Sequence, residues 1–213
     1  MSDINSKNVA TVIREPIEWT RSWVPDSDKS ELDVPRVLLV GDSIVMGYGP
    51  KASEHLQGEV SLAWVGTSRF PVDPIYFEEI ALVLRSTSFD AVHFNNGLHG
   101  FGYDESDYAA CLKQVVTRLR VLTPAVPWML ANSTPLRKPD DLKQYTERND
   151  RVRLRNQTMA ALAAEFNLSM TDLYQAMEGH PEYYSPDGTH FNETGIAVQG
   201  ELVAESIRQL ITQ

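Results

Sequence analysis

Two short polar stretches, far apart in the chain, hold the residue types that a serine nucleophile requires. Gly41-Asp42-Ser43 directly follows an apolar run, and Asp187 precedes His190 by three positions in a Gly-containing loop. That spacing lets the carboxylate fold back onto one imidazole nitrogen while the other nitrogen faces outward. A hydroxyl, an imidazole base and a carboxylate that holds the base in the right tautomer perform nucleophilic acyl transfer. We therefore expect Ser43, His190 and Asp187 to form a catalytic triad.

Each of these residues also has a structural interpretation. Ser43 could cap the helix that follows the strand. Asp187 could be an ordinary member of a Pro-Asp-Gly turn, and His190 could simply flank the last helix, with Asn192 as its cap. The co-occurrence of all three favours the catalytic interpretation. We expect Asp42 to hold its corner by hydrogen bonds to nearby backbone rather than to take part in the chemistry.

The remaining histidines do not form a metal-binding pattern. They are His55, His93, His99 and His180, and their spacing matches no metal site. We therefore predict no metal and no cofactor. A run of four arginines between positions 148 and 155 is typical of a solvated helix face rather than of a carboxylate-binding patch.

The elements that must position the triad alternate between strands and helices. Residues 36–40, flanked by Pro35 and Gly41, predict a strand buried on both faces. Further strands are predicted at 59–65, 89–94, 126–131 and 168–173, and helices at 44–56, 75–85, 107–122, 151–166 and 193–210. This alternation predicts an α/β fold, a three-layer α/β/α sandwich with a flavodoxin-like parallel sheet of about five strands. Polar residues after the strands would then meet at one sheet edge.

The length of 213 residues suits one α/β domain. We predict an N-terminal extension over residues 1–34, polar and irregular, packed on a domain that spans residues 35–213. Burial of Trp19 and Trp23 would anchor this extension, although such aromatic rings can also contact sugars. The charged residues 136–150 are predicted to form an exposed loop or lid.

Composition restricts the partners. The formal net charge of -10 argues against nucleic acid and anionic membranes as partners, and favours an uncharged small-molecule or oligosaccharide substrate. No apolar run is long enough for a transmembrane helix. The first residues lack the apolar core of a secretory signal, so the expected location is cytoplasmic. The single cysteine, Cys111, excludes an internal disulfide. A homo-oligomer is compatible with this composition.

Four segments resemble the conserved blocks of the SGNH (GDSL-like) hydrolases. They are Gly41-Asp42-Ser43, Gly66 after the second predicted strand, Asn95 after the third, and Asp187-x-x-His190. The resemblance runs from about Val37 to Gly195, and its first and last blocks are specific in combination.

This resemblance implies a role for each matching residue. It makes Ser43 the nucleophile, His190 the general base and then general acid, and Asp187 its orienting partner. It also implies an oxyanion hole formed by the backbone N–H groups of Ser43 and Gly66 and the side-chain amide of Asn95. Three donors aimed at one point suit the tetrahedral intermediate of acyl transfer.

Two blocks depart from the family pattern. The third block is Gly-x-Asn-Asp in the family, whereas this chain reads His93-Phe94-Asn95-Asn96-Gly97. A second register makes Gly97 the glycine of the block and puts His99 at the asparagine. The third oxyanion donor is therefore open between Asn95, Asn96 and His99. In the second block, Ser68 could occupy the position of the oxyanion donor instead of Gly66. Asn96, His99 and Arg69 are candidates for lining the substrate pocket.

The activity implied is that of a carboxylic ester hydrolase. We expect a serine esterase that removes a short acyl group, acetyl above all, from a carbohydrate or another polar ester through an acyl-enzyme. The alternatives are an acyltransferase or a lipid or thioester hydrolase with the same triad, or a glycan-binding protein that keeps the fold without catalysis.

Overall fold

The computed structural model describes residues 12–212, and a mixed sheet of six strands forms its centre. The strands of the chain are β1 (Thr20–Trp23), β2 (Arg36–Gly41), β3 (Ser61–Thr67), β4 (Ala91–Asn95), β5 (Trp128–Ala131), β6 (Arg137–Lys138), β7 (Asp141–Tyr145) and β8 (Ser169–Thr171). The order in the central sheet is β1-β3-β2-β4-β5-β8, and only β1 runs antiparallel. The five parallel strands have the flavodoxin-like order 2-1-3-4-5.

Helices cover both faces of this sheet. They are α1 (Ser43–His55), α2 (Pro74–Ser86), α3 (Glu105–Leu122), α4 (Arg148–Phe166), α5 (Leu173–Glu178) and α6 (Glu193–Ile211). Apolar side chains of α2, α3 and α4 form one core with the sheet, and those of α1, α5 and α6 form the other. The predicted three-layer α/β/α sandwich is confirmed.

Strand β2 is buried throughout because both of its faces pack against helices. Leu38 and Val40 belong to the core under α2 and α3, whereas Val37 and Leu39 belong to the core under α1 and α6. Successive side chains of a strand point to opposite faces, so a strand covered on both sides is apolar at consecutive positions, here from Val37 to Val40. The apolar run before Ser43 is therefore explained by the central place of β2.

The N-terminal segment departs from the predicted irregular extension. Residues 20–23 form β1 and pair with β3 at the sheet edge. Trp23 is not a buried anchor: it is 57% exposed and stacks on Trp64 with ring centroids 5.9 Å apart. All four residues of β1 are exposed at this edge of the sheet. Residues 1–11 of the predicted extension lie outside the described residues.

The charged residues 136–150 contain structure that was not predicted. Strands β6 and β7 pair as an antiparallel hairpin, and α4 begins directly after it. Arg137, the first residue of this hairpin, is buried, and its guanidinium donates to the carbonyls of Leu142 and Glu178. Within residues 12–212, no helix combines the length and the apolar character needed to cross a bilayer.

Candidate active site

Ser43 is the first residue of α1, at the end of the central strand β2. The cap of the helix is Asp42, whose carboxylate accepts the N–H of Ile44 at 2.9 Å. The Ser43 hydroxyl is therefore free of the capping role, and Asp42 holds the corner as expected. The Ser43 N–H has no hydrogen-bond partner among residues 12–212. It lies at the positive end of a helix, where an anion is stabilised.

The structure brings the three predicted triad residues together. Ser43 Oγ lies 2.9 Å from His190 Nε2, and His190 Nδ1 lies 2.7 Å from Asp187 Oδ2. The two ring nitrogens thus serve two different partners, the hydroxyl on one side and the carboxylate on the other. This is the geometry in which an imidazole can accept a serine proton while a carboxylate holds its tautomer.

Asp187 is held by its own backbone neighbours. Its second carboxylate oxygen accepts the N–H groups of Thr189 and His190, at 2.9 and 2.8 Å. Partial burial raises the pKa of Asp187, but the hydrogen bonds from the His190 ring and from these two N–H groups outweigh it and leave the pKa below its ordinary value. The carboxylate is therefore ionised and can stabilise an imidazolium.

The loop that carries Asp187 and His190 is anchored to the β6–β7 hairpin. Gly188 has a φ of +70°, and a side chain there would lie 2.2 Å from the carbonyl oxygen of Arg137. The Arg137 N–H in turn donates to the Gly188 carbonyl at 2.8 Å. Tyr184 and Phe191 close the loop at its base, with ring centroids 4.4 Å apart. The segment predicted as a lid therefore supports the catalytic loop.

Asn95 does not present its amide as the resemblance implies. Its side-chain nitrogen donates to the carbonyls of Ala131 and Asn132, at 2.9 and 2.8 Å. An amide group has two N–H donors, so both are committed to the end of β5. The expected oxyanion donor at Asn95 is thus replaced by a structural link between β4 and β5.

Gly66 lies within β3 rather than after it. Ser68 donates its N–H to the Trp19 carbonyl, and hydrogen-bonded pairs alternate along an antiparallel ladder, so the Gly66 N–H faces Arg21. It is therefore committed to β1 rather than free for an oxyanion. A side chain at Gly66 would lie 2.6 Å from Met46 Cγ, so glycine at this position allows α1 to approach the sheet closely.

Three of the remaining candidates are also engaged. Ser68 bonds the backbone of Trp19 through its N–H and its hydroxyl. Asn96 is buried, and its side-chain oxygen accepts the Tyr108 hydroxyl at 2.8 Å. The guanidinium of Arg69 forms ion pairs with Glu18, Asp73 and Glu79. Each of these three side chains thus has a partner within residues 12–212, and the amide nitrogen of Asn96 lies 3.5 Å from the Arg69 carbonyl.

His99 is the exception among the candidates. Its Nδ1 lies 2.9 Å from the carboxylate of Glu15, and its Nε2 has no hydrogen-bond partner among the described residues. No cluster of three or more metal-ligating side chains occurs within residues 12–212.

Glu15 and Arg155 are two residues of this region that sequence reasoning did not single out as part of a site. Arg155 belongs to the arginine run predicted to be solvated, yet it is buried, pairs with Glu105 and donates to the carbonyls of the loop after β4, at Gly97, His99 and Gly100. Nothing in the local pattern separates Arg155 from its exposed neighbours or marks Glu15, because both acquire partners only from distant segments.

Comparison with known proteins identifies the fold. No protein-family model matches the sequence, and no curated protein matches it. Among solved structures, a GDSL-like lipase from Bacteroides thetaiotaomicron aligns with a TM-score of 0.66 at 15% identity, over 82% of this chain and 88% of the other. A carbohydrate esterase family 3 protein from Talaromyces cellulolyticus has a TM-score of 0.66 at 16% identity, over 84% and 98%. An acetyl xylan esterase has 0.61 at 18%, over 81% and 99%.

Proposed function

Since the chain has the SGNH-hydrolase fold, with neighbours that are lipases, esterases and acylhydrolases, we propose that it is a serine ester hydrolase. The observation that carries the proposal is the connected set of short contacts from Ser43 to His190 and from His190 to Asp187. Such a set activates a hydroxyl that is a weak nucleophile by itself.

In the proposed reaction, Ser43 Oγ attacks the ester carbonyl while its proton passes to His190 Nε2. The ionised Asp187 stabilises the imidazolium that results. The carbonyl oxygen becomes an oxyanion beside the N–H of Ser43, which begins α1 and has no partner among residues 12–212. His190 then donates its proton to the leaving alcohol oxygen, which leaves an acyl-enzyme ester on Ser43.

The second half of the reaction requires water. His190 takes a proton from a water molecule, whose oxygen attacks the carbonyl of the acyl-enzyme. When the bond to Ser43 Oγ then breaks and the acid leaves, His190 returns the proton to that oxygen. The side chains of His190 and Asp187 are 47% and 52% exposed, so water reaches the base without any rearrangement.

We further propose that the group removed is short, acetyl above all, and that the substrate is a carbohydrate or another polar ester. Two supports exist: neighbours of the same fold that are an acetyl xylan esterase and a carbohydrate esterase family 3 protein, and the net charge of -10, which disfavours anionic substrates.

Labelling with a serine-directed fluorophosphonate tests the nucleophile. We expect the modified peptide to contain Ser43, and Ser43→Ala to lose both labelling and hydrolysis of p-nitrophenyl acetate, by at least about 10³-fold in kcat. Ser53→Ala is a matched control, because Ser53 lies on the same helix about 15 Å from Ser43. Equal activity of Ser43→Ala and the wild type would remove Ser43 from the mechanism.

A substrate screen separates the finer alternatives. Acetylated sugars and longer acyl esters are compared by kcat/KM, and released acid is measured against acyl transferred to an added sugar. Faster turnover of the acetyl esters, with acid as the main product, is the expected result. A preference for long acyl chains would instead indicate a lipid or thioester hydrolase, and acyl transfer to the sugar would indicate an acyltransferase.

A further inference from the structure

The loop after β4 lies beside the corner that holds Ser43. Strands β2 and β4 are parallel neighbours with Val40 opposite Phe94, and a side chain at Gly41 would contact Asn95. The segments that follow Gly41 in β2 and Asn95 in β4 therefore leave the sheet next to each other. His99 follows Asn95, the last residue of β4, by four positions in this loop.

The backbone of this loop is fixed from two sides. The buried Arg155 donates to the carbonyls of Gly97, His99 and Gly100. From the other side, the carboxylate of Glu15 accepts the Gly100 N–H at 3.3 Å and the His99 Nδ1–H at 2.9 Å. The imidazole is therefore held at one nitrogen, and its side chain keeps 16% exposure. A donor aimed by packing and by a second hydrogen bond is preorganised.

Two of the three donors expected for an oxyanion are committed elsewhere, Asn95 to the end of β5 and Gly66 to β1. Ser43 N–H and His99 Nε2 have no partner among residues 12–212. Resting on the esterase function proposed above, we propose that His99 is a catalytic residue whose Nε2–H binds the oxyanion together with the Ser43 N–H, and that Glu15 is its positioning residue.

This role requires His99 to be protonated. Glu15 accepts the Nδ1–H, so Nε2 carries a proton only in the imidazolium form. Burial lowers the pKa of His99, and Arg155 acts in the same direction, but the Glu15 hydrogen bond and the charges of Asp42 and Glu15 outweigh them and raise the pKa. His99 keeps its proton throughout the reaction, because His190 is the group that takes and returns the serine proton.

Substitution of His99 tests the donor. His99→Leu is expected to lower kcat on p-nitrophenyl acetate about 10²-fold or more with little change in KM, since the contact forms only as the oxyanion develops. His99→Gln is expected to recover at least about tenfold of that loss, because its side-chain amide places an N–H near the position of Nε2. His55→Leu is the matched control, since His55 is exposed at the far end of α1.

Glu15→Gln tests the positioning role through the pH profile. The amide can still accept the Nδ1–H, but the negative charge that raises the pKa of His99 is gone. The activity of the wild type is expected to fall as pH rises through the pKa of His99, and this fall is expected to begin at lower pH in Glu15→Gln. His99→Gln cannot titrate and is expected to lose the alkaline fall altogether.

The outcomes separate this inference from the proposed function. If wild type and Ser43→Ala hydrolyse the ester equally, the proposed function fails and this inference with it. If activity depends on Ser43 but His99→Leu keeps kcat within about twofold, only the inference is overturned. The inference alone is also overturned if the activities of Glu15→Gln and of the wild type fall over the same alkaline pH range.

Discussion

The imidazole of His190 lies 2.9 Å from the hydroxyl of Ser43, although the two residues are 147 positions apart in the chain. Two features of the fold create this contact. Ser43 stands at the end of the central strand β2, and His190 ends a loop that leads into α6, the helix that packs beside α1. The active geometry therefore depends on how α6 and its preceding loop are held.

Asp187→Asn is expected to lower kcat by about 10³-fold with a small effect on KM. An asparagine amide can donate to Nδ1, which selects the wrong tautomer for accepting the serine proton at Nε2. Steady-state kinetics on p-nitrophenyl acetate measure the effect. Asp140→Asn, in the exposed β6–β7 turn, is the control and should leave kcat unchanged. A similar kcat in both variants would mean that Asp187 does not act on His190.

Gly188→Ala is expected to lower both stability and activity. An alanine at its φ of +70° costs about 1 kcal/mol, and its Cβ would lie 2.2 Å from a backbone carbonyl oxygen. Relief of that clash must move the loop that holds His190. Gly58→Ala separates the two effects, since Gly58 has a φ of +80° with nothing within 4 Å. The free energy of unfolding in urea and kcat should both fall further in Gly188→Ala than in Gly58→Ala. Equal decreases in the two variants would contradict this account.

Arg155→Met is expected to destabilise the protein by about 3–5 kcal/mol, because it leaves three loop carbonyls without their donor and removes one of the two arginine partners of Glu105, the other being Arg151. Arg153→Met on the same helix, where the arginine is half-exposed, should cost no more than about 1 kcal/mol. Denaturant unfolding gives both values. If the two variants differ by less than the error of the measurement, the buried guanidinium does not hold the loop after β4.

Because His93 is buried, we expect the free energy of unfolding to decrease as the pH becomes acidic. Burial of its side chain on strand β4 lowers the pKa of His93 to about 4, whereas an unfolded histidine titrates near its ordinary value. Between these values the unfolded state binds a proton that the folded state does not, so stability falls as pH decreases, by about 2 kcal/mol from pH 7 to pH 5. The test measures the free energy of unfolding of the wild type and of His93→Gln at pH 7 and at pH 5. The same change between the two pH values in both proteins would contradict the prediction.

Local patterns in the sequence were sufficient for the layers and for the triad candidates. The apolar run of β2 predicts a doubly covered strand because burial on both faces demands it. Asp187-x-x-His190 could be singled out because its hydrogen bond closes within one short loop. The parallel direction of five strands follows from the same alternation, since parallel strands need crossover connections.

Edge strands and committed donors could not be predicted in this way. β1 pairs with the edge of β3, although three of its four residues are polar and all four are exposed. Asn95 and Gly66 match the family blocks by position, yet their N–H groups have partners in β5 and β1. A hydrogen-bond donor is free or occupied according to its neighbours in space, which a linear pattern does not contain.

The sequence by itself therefore determined the fold class, the corner at Ser43 and the pairing of Asp187 with His190, because each follows from residue types within a few positions of one another. Only the tertiary structure decided that Ser43 meets His190, that Glu15 holds His99, and that Arg155 is buried. Those contacts join segments brought together by packing, and packing depends on the whole chain.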